Sequence, residues 1–326
     1  MISIGNLEIG EFPLLLAPME DVSDPPFRAV CKDMGADLMY TEFISAEGLI
    51  RSAEKSMVKL DIYDYERPMG IQIFGENIDS MREATKIAEA SHPDLIDINY
   101  GCPVNKVACK GAGAGILLDI PKMQKLTEEI VKSTHLPVTV KTRLGWDEKN
   151  IRIVEVAKRL QDAGIKALTI HARTRSQMYK GTADWSYIAE VKNCQDIHIP
   201  VFGNGDIDTP QKAVEYKNRY GIDGIMIGRA AIGNPWIFRN IKYFFQKNEI
   251  LPAPSLTDRI SVCKKHLLRS VEWKGERLGI LEMRRHYSAY FKGLPNAKEI
   301  RTKLVMAENV EDALGFLENI FEITIN

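Results

Sequence analysis

Eight short apolar runs alternate with amphipathic stretches over roughly the first 245 residues of this 326-residue chain. Each run is almost continuously hydrophobic, as parallel strands buried on both faces are. The runs lie at 14–19, 38–43, 69–74, 95–101, 137–143, 167–173, 199–206 and 224–230. The clearest helical patterns between them lie at 77–90, 151–164 and 209–220. Eight such units in a row predict an α/β fold, specifically a (β/α)8 TIM barrel.

The chain changes character after the proline-rich segment 250–256. No strand-like run follows it, and helical patterns lie at 257–270, 276–292 and 309–323. We therefore predict a barrel domain at 1–248 that carries the catalytic site, and a small all-helical C-terminal domain at 249–326.

The net charge of −1 conceals a basic region in the predicted C-terminal domain. Residues 259–303 contain twelve Lys or Arg against four Asp or Glu. A charge run of this kind is either a solvated helical face or an electrostatic footprint for phosphates. The sequence leaves both interpretations open.

The five cysteines are widely spaced and form no CxxC pair. This pattern argues against a disulfide framework and against a zinc site, so no metal is expected. The N-terminus lacks the basic flank and apolar core of a signal peptide, and no apolar run approaches the length of a membrane span. We expect a soluble cytoplasmic protein without a membrane association, and no protein partner is implied.

Polar residues and glycines follow the predicted strands at their C-terminal ends, where barrel enzymes carry their catalytic groups. The candidates are Ala17, Pro18, Met19, Gln72, Asn99, Cys102, Lys141, Arg143, His171, Asn204, Gly205, Asp206, Gly228 and Arg229. Gln72 interrupts an apolar strand, so its amide must be hydrogen-bonded. Lys141 and Arg143 are two residues apart and share one strand face, which costs several kcal/mol unless an anion binds there.

Together these residues favour a flavin mononucleotide site. Glycine turns after the seventh and eighth strands of a barrel often bind phosphate through backbone N–H groups, and Arg229 would add a guanidinium fork. Gln72 and Lys141 would line a slot for the imide-like edge of the flavin ring. A cation at this edge stabilises the anionic reduced form of the flavin. Cys102 would lie across the mouth, although an isolated cysteine is more often a small buried hydrophobe.

The motifs resemble those of the tRNA-dihydrouridine synthases, and of the bacterial subfamilies most closely the B type. Tyr100 stands where aliphatic residues are commoner in that family. The segments that carry the resemblance are Ala17-Pro18-Met19, Gln72, Asn99-Tyr100-Gly101-Cys102-Pro103, Lys141-Thr142-Arg143, His171-Ala172-Arg173-Thr174-Arg175, Asn204-Gly205-Asp206 and Gly228-Arg229-Ala230. They occur in the family's order and cover the predicted barrel, and the helical region after residue 250 resembles the family's tRNA-binding domain.

The resemblance implies an FMN enzyme that reduces the C5–C6 bond of specific uridines in tRNA, with NADPH or NADH as reductant. Hydride would pass from the flavin to C6, and Cys102 would protonate C5. A thiol with an ordinary pKa of about 8.5 is mostly protonated at neutral pH and needs no activating base for this role. The positions predicted to bind FMN are Ala17, Pro18, Met19, Gln72, Asn99, Lys141, His171, Asn204, Gly205, Asp206, Gly228 and Arg229.

Several basic residues are candidates for contact with the RNA, or else are ordinary charges of the loops and helices. They are Arg143, Arg173, Arg175, Lys106 and Lys110 near the barrel mouth, and Arg284 and Arg285 in the helical domain. Other readings of the chain remain. One is an FMN barrel acting on a free pyrimidine, like dihydroorotate or dihydropyrimidine dehydrogenases. Others are an RNA-binding protein with a vestigial flavin site and a flavin-free phosphate-binding isomerase.

Overall fold

The computed structural model describes residues 1–320 of the chain. These residues form two compact units. The first comprises Met1–Asp24 and Ala36–Gly228, and the second comprises Pro25–Gly35 and the described part of Arg229–Asn326. The assignment of domains at 1–248 and 249–326, which also rests on function, stays a prediction.

Eight parallel strands of the first unit form a nearly closed barrel, which confirms the predicted TIM-barrel fold. The barrel strands are β3, β4 and β6 to β11. All strands of the described residues, in chain order, are β1 (Ile2–Ile4), β2 (Leu7–Gly10), β3 (Leu14–Leu16), β4 (Met39–Tyr40), β5 (Ile44–Ser45), β6 (Met69–Phe74), β7 (Leu95–Tyr100), β8 (Val138–Arg143), β9 (Ala167–His171), β10 (Val201–Asn204) and β11 (Gly224–Ile227). The spatial order is β3-β11-β10-β9-β8-β7-β6-β4, and β5 pairs only with β6. A parallel bridge between Leu15 and Leu38 joins the two ends of this order.

The interior of the barrel is apolar away from the predicted site. Leu15, Leu95, Phe202 and Met226 are buried in one cluster, each contributed by a different strand. An antiparallel hairpin formed by β1 and β2 contributes Ile4 and Ile9 to the same cluster. Because these two strands are short, the sequence pattern did not indicate the hairpin.

Helices follow most of the barrel strands and make up the second unit. They are α1 (Pro25–Asp33), α2 (Ala46–Ile50), α3 (Glu54–Met57), α4 (Ile78–Glu89), α5 (Asn105–Ala108), α6 (Ile120–Val131), α7 (Ile153–Asp162), α8 (Ser186–Lys192), α9 (Pro210–Tyr220), α10 (Trp236–Lys247), α11 (Leu256–Lys274), α12 (Glu276–Tyr290), α13 (Ala297–Met306) and α14 (Val310–Glu318). Short 3-10 helices lie at Val58–Leu60, Asp64–Glu66, Gly113–Leu118 and Arg229–Ala231. The predicted start of α9 is confirmed, since the Thr209 hydroxyl accepts the Lys212 N–H at 3.3 Å.

The second unit is helical throughout the part that the structure describes. Its core includes Leu267 of α11, Met283 of α12, Leu304 of α13 and Leu317 of α14. The predicted helices at 257–270, 276–292 and 309–323 correspond to α11, α12 and α14, although 321–323 lie outside the described residues. Within residues 1–320, no helix combines the length and the apolar character that crossing a membrane requires.

Candidate active site

A buried row of polar side chains crosses three neighbouring strands of the barrel. Gln72 of β6, Asp97 of β7 and Thr139 of β8 lie opposite one another. Gln72 Nε2 donates to Asp97 Oδ2 at 2.5 Å, and Thr139 Oγ1 donates to Asp97 Oδ1 at 2.5 Å. Burial raises the pKa of Asp97 to about 6, because desolvation outweighs the two hydrogen bonds. The amide of Gln72 is therefore satisfied, as an amide within an apolar strand must be.

Asn99 connects this row to the turn that carries the thiol. Its Nδ2 donates to Gln72 Oε1 at 2.8 Å. Its Oδ1 accepts the backbone N–H of Gly101 at 3.0 Å and that of Cys102 at 2.8 Å. The position of Cys102 thus follows from side chains fixed on strands β6 and β7.

The Cys102 side chain lies in a largely buried place, and the residue is 6% exposed. Burial raises the pKa of the thiol above its ordinary value, while the Val104 N–H and the positive charge of Arg143 oppose the rise. The thiol is therefore protonated at neutral pH. Such a group can donate a proton, whereas a nucleophilic cysteine requires a lowered pKa.

Lys141, on β8, lies opposite Asn99 of β7. Burial, and then the neighbouring charge of Arg143, lower the pKa of its ammonium group to about 8, and Asp97 opposes this effect. Among residues 1–320 no hydrogen bond or ion pair to Lys141 Nζ is formed. The group remains mostly protonated at pH 7, and its donors are available to a ligand.

Arg143 differs from Lys141 because its guanidinium is bound by the protein. Its Nε donates to the Gly101 carbonyl at 2.8 Å, and its Nη1 donates to the carbonyls of Thr174 at 3.0 Å and Met178 at 2.8 Å. The residue is 2% exposed. These backbone carbonyls help to accommodate its charge, and its contact with RNA stays a prediction.

Arg173 is equally buried and forms a two-pronged ion pair with Asp206. The guanidinium nitrogens Nη1 and Nη2 lie 2.9 and 2.7 Å from the two carboxylate oxygens. The same side chain donates to the carbonyls of Lys180 at 3.0 Å and Gly181 at 2.6 Å. The predicted roles of Arg173 toward RNA and of Asp206 toward FMN stay predictions.

Arg143 and Arg173 together hold residues 174–181, here named the mouth loop. The loop displays Tyr179, which is 53% exposed. Its ring centre lies 6.3 Å from that of His171 and 5.6 Å from the Arg143 guanidinium carbon. A solvent-facing aromatic ring is thereby fixed beside a predicted site residue.

Arg175 of the mouth loop connects to the segment that follows Cys102. Its guanidinium lies 4.5 Å from the centre of the Trp146 ring and donates through Nη2 to Asn105 Oδ1. Asn105 begins α5, which also carries the exposed Lys106. The structure therefore brings Arg175 to the helix that carries Lys106, and contact of these two residues with RNA stays a prediction.

The glycine turn after β10 lies against His171. Gly205 has a φ of +128°, and a Cβ at this position would lie 2.8 Å from the Ala183 Cβ and 3.2 Å from His171 Cδ2. The preceding Asn204 donates to the Met226 carbonyl at 2.8 Å. Only glycine suits this turn, because of its positive φ and the lack of space for a Cβ. Gly205 and His171, both predicted to bind the cofactor, are thus in contact.

The turns after β3 and β11 also meet. A Cβ at Gly228 would lie 3.5 Å from the Ala17 Cβ and 3.5 Å from the Met19 Sδ. The Ser23 hydroxyl closes the turn that includes Pro18, since it donates to the Ala17 carbonyl at 2.8 Å and accepts the Met19 N–H at 3.1 Å. Arg229 belongs to the second unit, so its predicted role in binding FMN stays a prediction.

The chain matches the family described as dihydrouridine synthase over residues 15–325. It is 38% identical over 309 residues to tRNA-dihydrouridine synthase B of Pseudomonas aeruginosa, covering 94% of this chain and 92% of that protein. A probable tRNA-dihydrouridine synthase 1 of Synechocystis is 38% identical over 96% of this chain and 88% of its own length. The chain belongs to the dihydrouridine synthase family. This confirms the resemblance seen in the motifs, and B-type proteins are among the relatives.

Dihydrouridine synthases are oxidoreductases, so the prediction of a redox enzyme is also confirmed. Among solved structures, histamine dehydrogenase from Rhizobium sp. 4-9 matches with a TM-score of 0.55 and 12% identity. The match covers 80% of this chain and 50% of that one, and it supports the barrel fold alone.

Two residues in contact with the candidate site were absent from the predicted set. Asp97 shares a strand face with Asn99, and that spacing was the available signal for it. Tyr179 lies in a loop, and its position depends on the two arginines that hold the loop. No local pattern marks such a residue.

Proposed function

We propose that this chain is an FMN-dependent tRNA-dihydrouridine synthase that reduces the C5–C6 bond of specific uridines in tRNA, with NADPH or NADH as reductant. Family membership supports the reaction, and relatives named for tRNA support the substrate. The observation that carries the proposal is the turn anchored by Asn99, which presents the protonated Cys102 thiol beside Lys141. We further propose that it acts in the cytoplasm.

The residues present fit a flavin mononucleotide. The ammonium of the half-buried Lys141 has no protein partner within the described residues and suits the electron-rich N1–C2=O edge of the flavin ring. The turn at Gly205 lies against His171, and the turn at Gly228 lies against Ala17 and Met19, which are positions predicted to bind FMN. Glycine turns after these two strands of a barrel often bind a phosphate. When bound, FMN would accept electrons from the nicotinamide nucleotide and deliver hydride to C6 of the uracil.

Cys102 would supply the proton that completes the reduction. The S–H bond of the thiol breaks, the proton forms a bond to C5, and the sulfur retains the electron pair as a thiolate. The nearby positive charges of Arg143 and Lys141 stabilise that thiolate until solvent returns a proton. Burial keeps the thiol protonated before the step, so no separate base is needed.

The uridine has to leave its stack before it reaches the thiol, which costs a few kcal/mol. Tyr179 on the mouth loop offers an exposed ring for stacking with a base, an interaction worth about 1–3 kcal/mol. Lys106 and Arg175 would contact nearby phosphates. Arg143 and Arg173 would act indirectly, by holding the mouth loop.

The test is to incubate the FMN-loaded protein and NADPH with a tRNA transcript that lacks modifications. Mass spectrometry of the digested nucleosides should detect dihydrouridine, and free uridine or orotate should remain unreduced. Reduction of a free pyrimidine with tRNA unchanged would favour the alternative enzyme class. Failure to bind FMN would contradict the cofactor assignment.

A further inference from the structure

Two side-chain amides link the Asp97 carboxylate to the turn that carries Cys102. Gln72 Nε2 donates to Asp97 Oδ2 at 2.5 Å, and Gln72 Oε1 accepts from Asn99 Nδ2 at 2.8 Å. Asn99 Oδ1 in turn accepts the Cys102 N–H at 2.8 Å. All four residues are buried, so the donors and acceptors of the protein decide how the two amides are oriented.

The turn determines the orientation of the Asn99 amide at one end of this chain. The backbone N–H groups of Gly101 and Cys102 can only donate, and both point at the same side-chain atom. That atom must therefore be Oδ1, which leaves Nδ2 to face Gln72. A reversed Asn99 amide would place its NH2 group against two further donors.

Asp97 determines the orientation of the Gln72 amide at the other end. With a pKa of about 6 the carboxyl group is mostly ionised at neutral pH, and a carboxylate can only accept. Its second oxygen accepts the Thr139 hydroxyl hydrogen. The Tyr40 hydroxyl is also hydrogen-bonded to Thr139 and has to supply the hydrogen, since that of Thr139 is already used.

The two ends require the same direction along the chain. If residue 97 presented a donor, the Gln72 amide would have to turn over, and its Nε2 would face Asn99 Nδ2. Asn99 could relieve this contact between donors only by turning its own NH2 group toward the turn. The turn would then lose both of its hydrogen bonds to Asn99, which are buried and costly to leave unmade.

We propose that Asp97 is a positioning residue for proton transfer: by accepting from Gln72 it fixes the Asn99 amide, and thereby holds the Cys102 thiol in place. This inference rests on the proposed function, in which Cys102 protonates C5. It also accounts for a carboxylate at a position that is 1% exposed, where desolvation disfavours the charge and an apolar side chain would avoid that cost.

The test measures the rate at which iodoacetamide alkylates Cys102, since a thiol in a buried turn reacts when the turn opens. Mass spectrometry of the digested protein follows this cysteine, and the exposed Cys109 is the internal reference. The FMN-loaded variants are Asp97→Asn, the exchange Q72E/D97N and, as a control, Asp94→Asn, which removes a carboxylate that accepts the Met69 N–H before β7. Thermal unfolding confirms that each is folded.

Asp97→Asn should accelerate the alkylation of Cys102 at least about tenfold, because the new side chain keeps its oxygen toward Thr139 and turns its NH2 group toward Gln72. The exchange Q72E/D97N moves the carboxylate one place along the chain, where it accepts from both neighbours. Its rate should therefore return to within about threefold of wild type, and Asp94→Asn should match wild type. No acceleration in Asp97→Asn, or equal acceleration in all variants or in the exchange, would overturn the proposal.

The reoxidation of reduced flavin by tRNA provides a second readout, in a single turnover. Asp97→Asn should slow it about tenfold to hundredfold and leave the affinity for tRNA unchanged, because a displaced thiol impairs proton transfer and not binding. Faster alkylation with an unchanged reoxidation rate would also overturn the proposal.

The two readouts separate this inference from the proposed function. If wild type forms dihydrouridine and Asp97→Asn equals it in both rates, the inference fails and the function stands. If the alkylation rates follow the expected order but wild type forms no dihydrouridine, the function fails, and the control of the Cys102 turn by Asp97 stands.

Discussion

Asn99 sets the position of Cys102, since its Oδ1 accepts the Cys102 backbone N–H at 2.8 Å. The other side of the same amide donates to Gln72, which in turn donates to Asp97. The thiol is therefore located by a chain of buried hydrogen bonds that begins within the barrel. Because every member of this chain is on or next to a strand, the proton donor is held rigidly.

Asn99→Ala should lower the rate of dihydrouridine formation about tenfold to hundredfold, because the turn carrying the thiol loses its anchor. The loss of three hydrogen bonds should also reduce the free energy of unfolding by about 2 kcal/mol. Asn99→Asp keeps an acceptor for the two backbone N–H groups but cannot donate to Gln72, so it should retain more activity. Steady-state kinetics with tRNA tests whether the rate falls from wild type to Asn99→Asp and further to Asn99→Ala. An Asn99→Ala rate equal to that of wild type would contradict the prediction.

Lys141→Met should make the bound flavin harder to reduce. An ammonium beside the ring stabilises the anionic reduced form, and the loss of a charged hydrogen bond worth about 1.5–3 kcal/mol corresponds to a potential about 30–60 mV lower. Lys106→Met, on exposed α5, removes the same charge and should leave the potential unchanged. Anaerobic redox titration of the two FMN-loaded variants measures the difference, and equal shifts would argue against this role for Lys141.

Asp97 should impose a pH dependence on stability. Folding raises its pKa from 3.8 to about 6, so the folded state holds the proton more tightly than the unfolded state. The resulting stabilisation is full below pH 4, is lost as the pH rises through about 6, and amounts to about 3 kcal/mol. Urea unfolding of wild type and Asp97→Asn should show their difference in stability changing between pH 4 and 6 and constant above. A constant difference throughout would refute the assignment.

Arg173→Met should destabilise the barrel by about 3 kcal/mol, because it leaves the Asp206 carboxylate without its buried partner and releases two loop carbonyls. Lys158 and Asp196 provide a matched control, since they pair at 2.5 Å but their side chains are 41% and 70% exposed. Lys158→Met should therefore destabilise the protein far less than Arg173→Met. Chemical denaturation distinguishes the two, and similar losses would mean that burial of the Arg173 pair has no energetic importance.

The barrel was predictable because its strands are buried on both faces and read as continuous apolar runs. The agreement between a predicted run and the observed strand is weakest at β4, where the run at 38–43 contains only the strand Met39–Tyr40. Thr41 and Glu42 are already beyond it, although both are buried. Helix α13 was not predicted either, since only Ile300 and Leu304 of this helix are buried, and two core positions do not produce a strong pattern.

Within the site, the position of a residue was easier to predict than the groups to which its side chain forms hydrogen bonds. The sequence placed Asn99 and Lys141 at the C-terminal ends of neighbouring strands, and the structure pairs them opposite each other. The same reasoning treated Arg143 like Lys141, yet its longer side chain reaches carbonyls of the mouth loop. Such contacts depend on how a loop folds back, and strand periodicity holds no information about that.

The measurement that tests the central claim most directly is a single turnover of the Cys102→Ala variant. Wild type and variant are loaded with FMN, reduced anaerobically with NADPH, and mixed with unmodified tRNA while the flavin absorbance is followed. Both should bind FMN and tRNA equally, and the variant should reoxidise its flavin about 10²–10⁴-fold more slowly, as expected for loss of a general acid. Equal rates would show that Cys102 does not donate the proton.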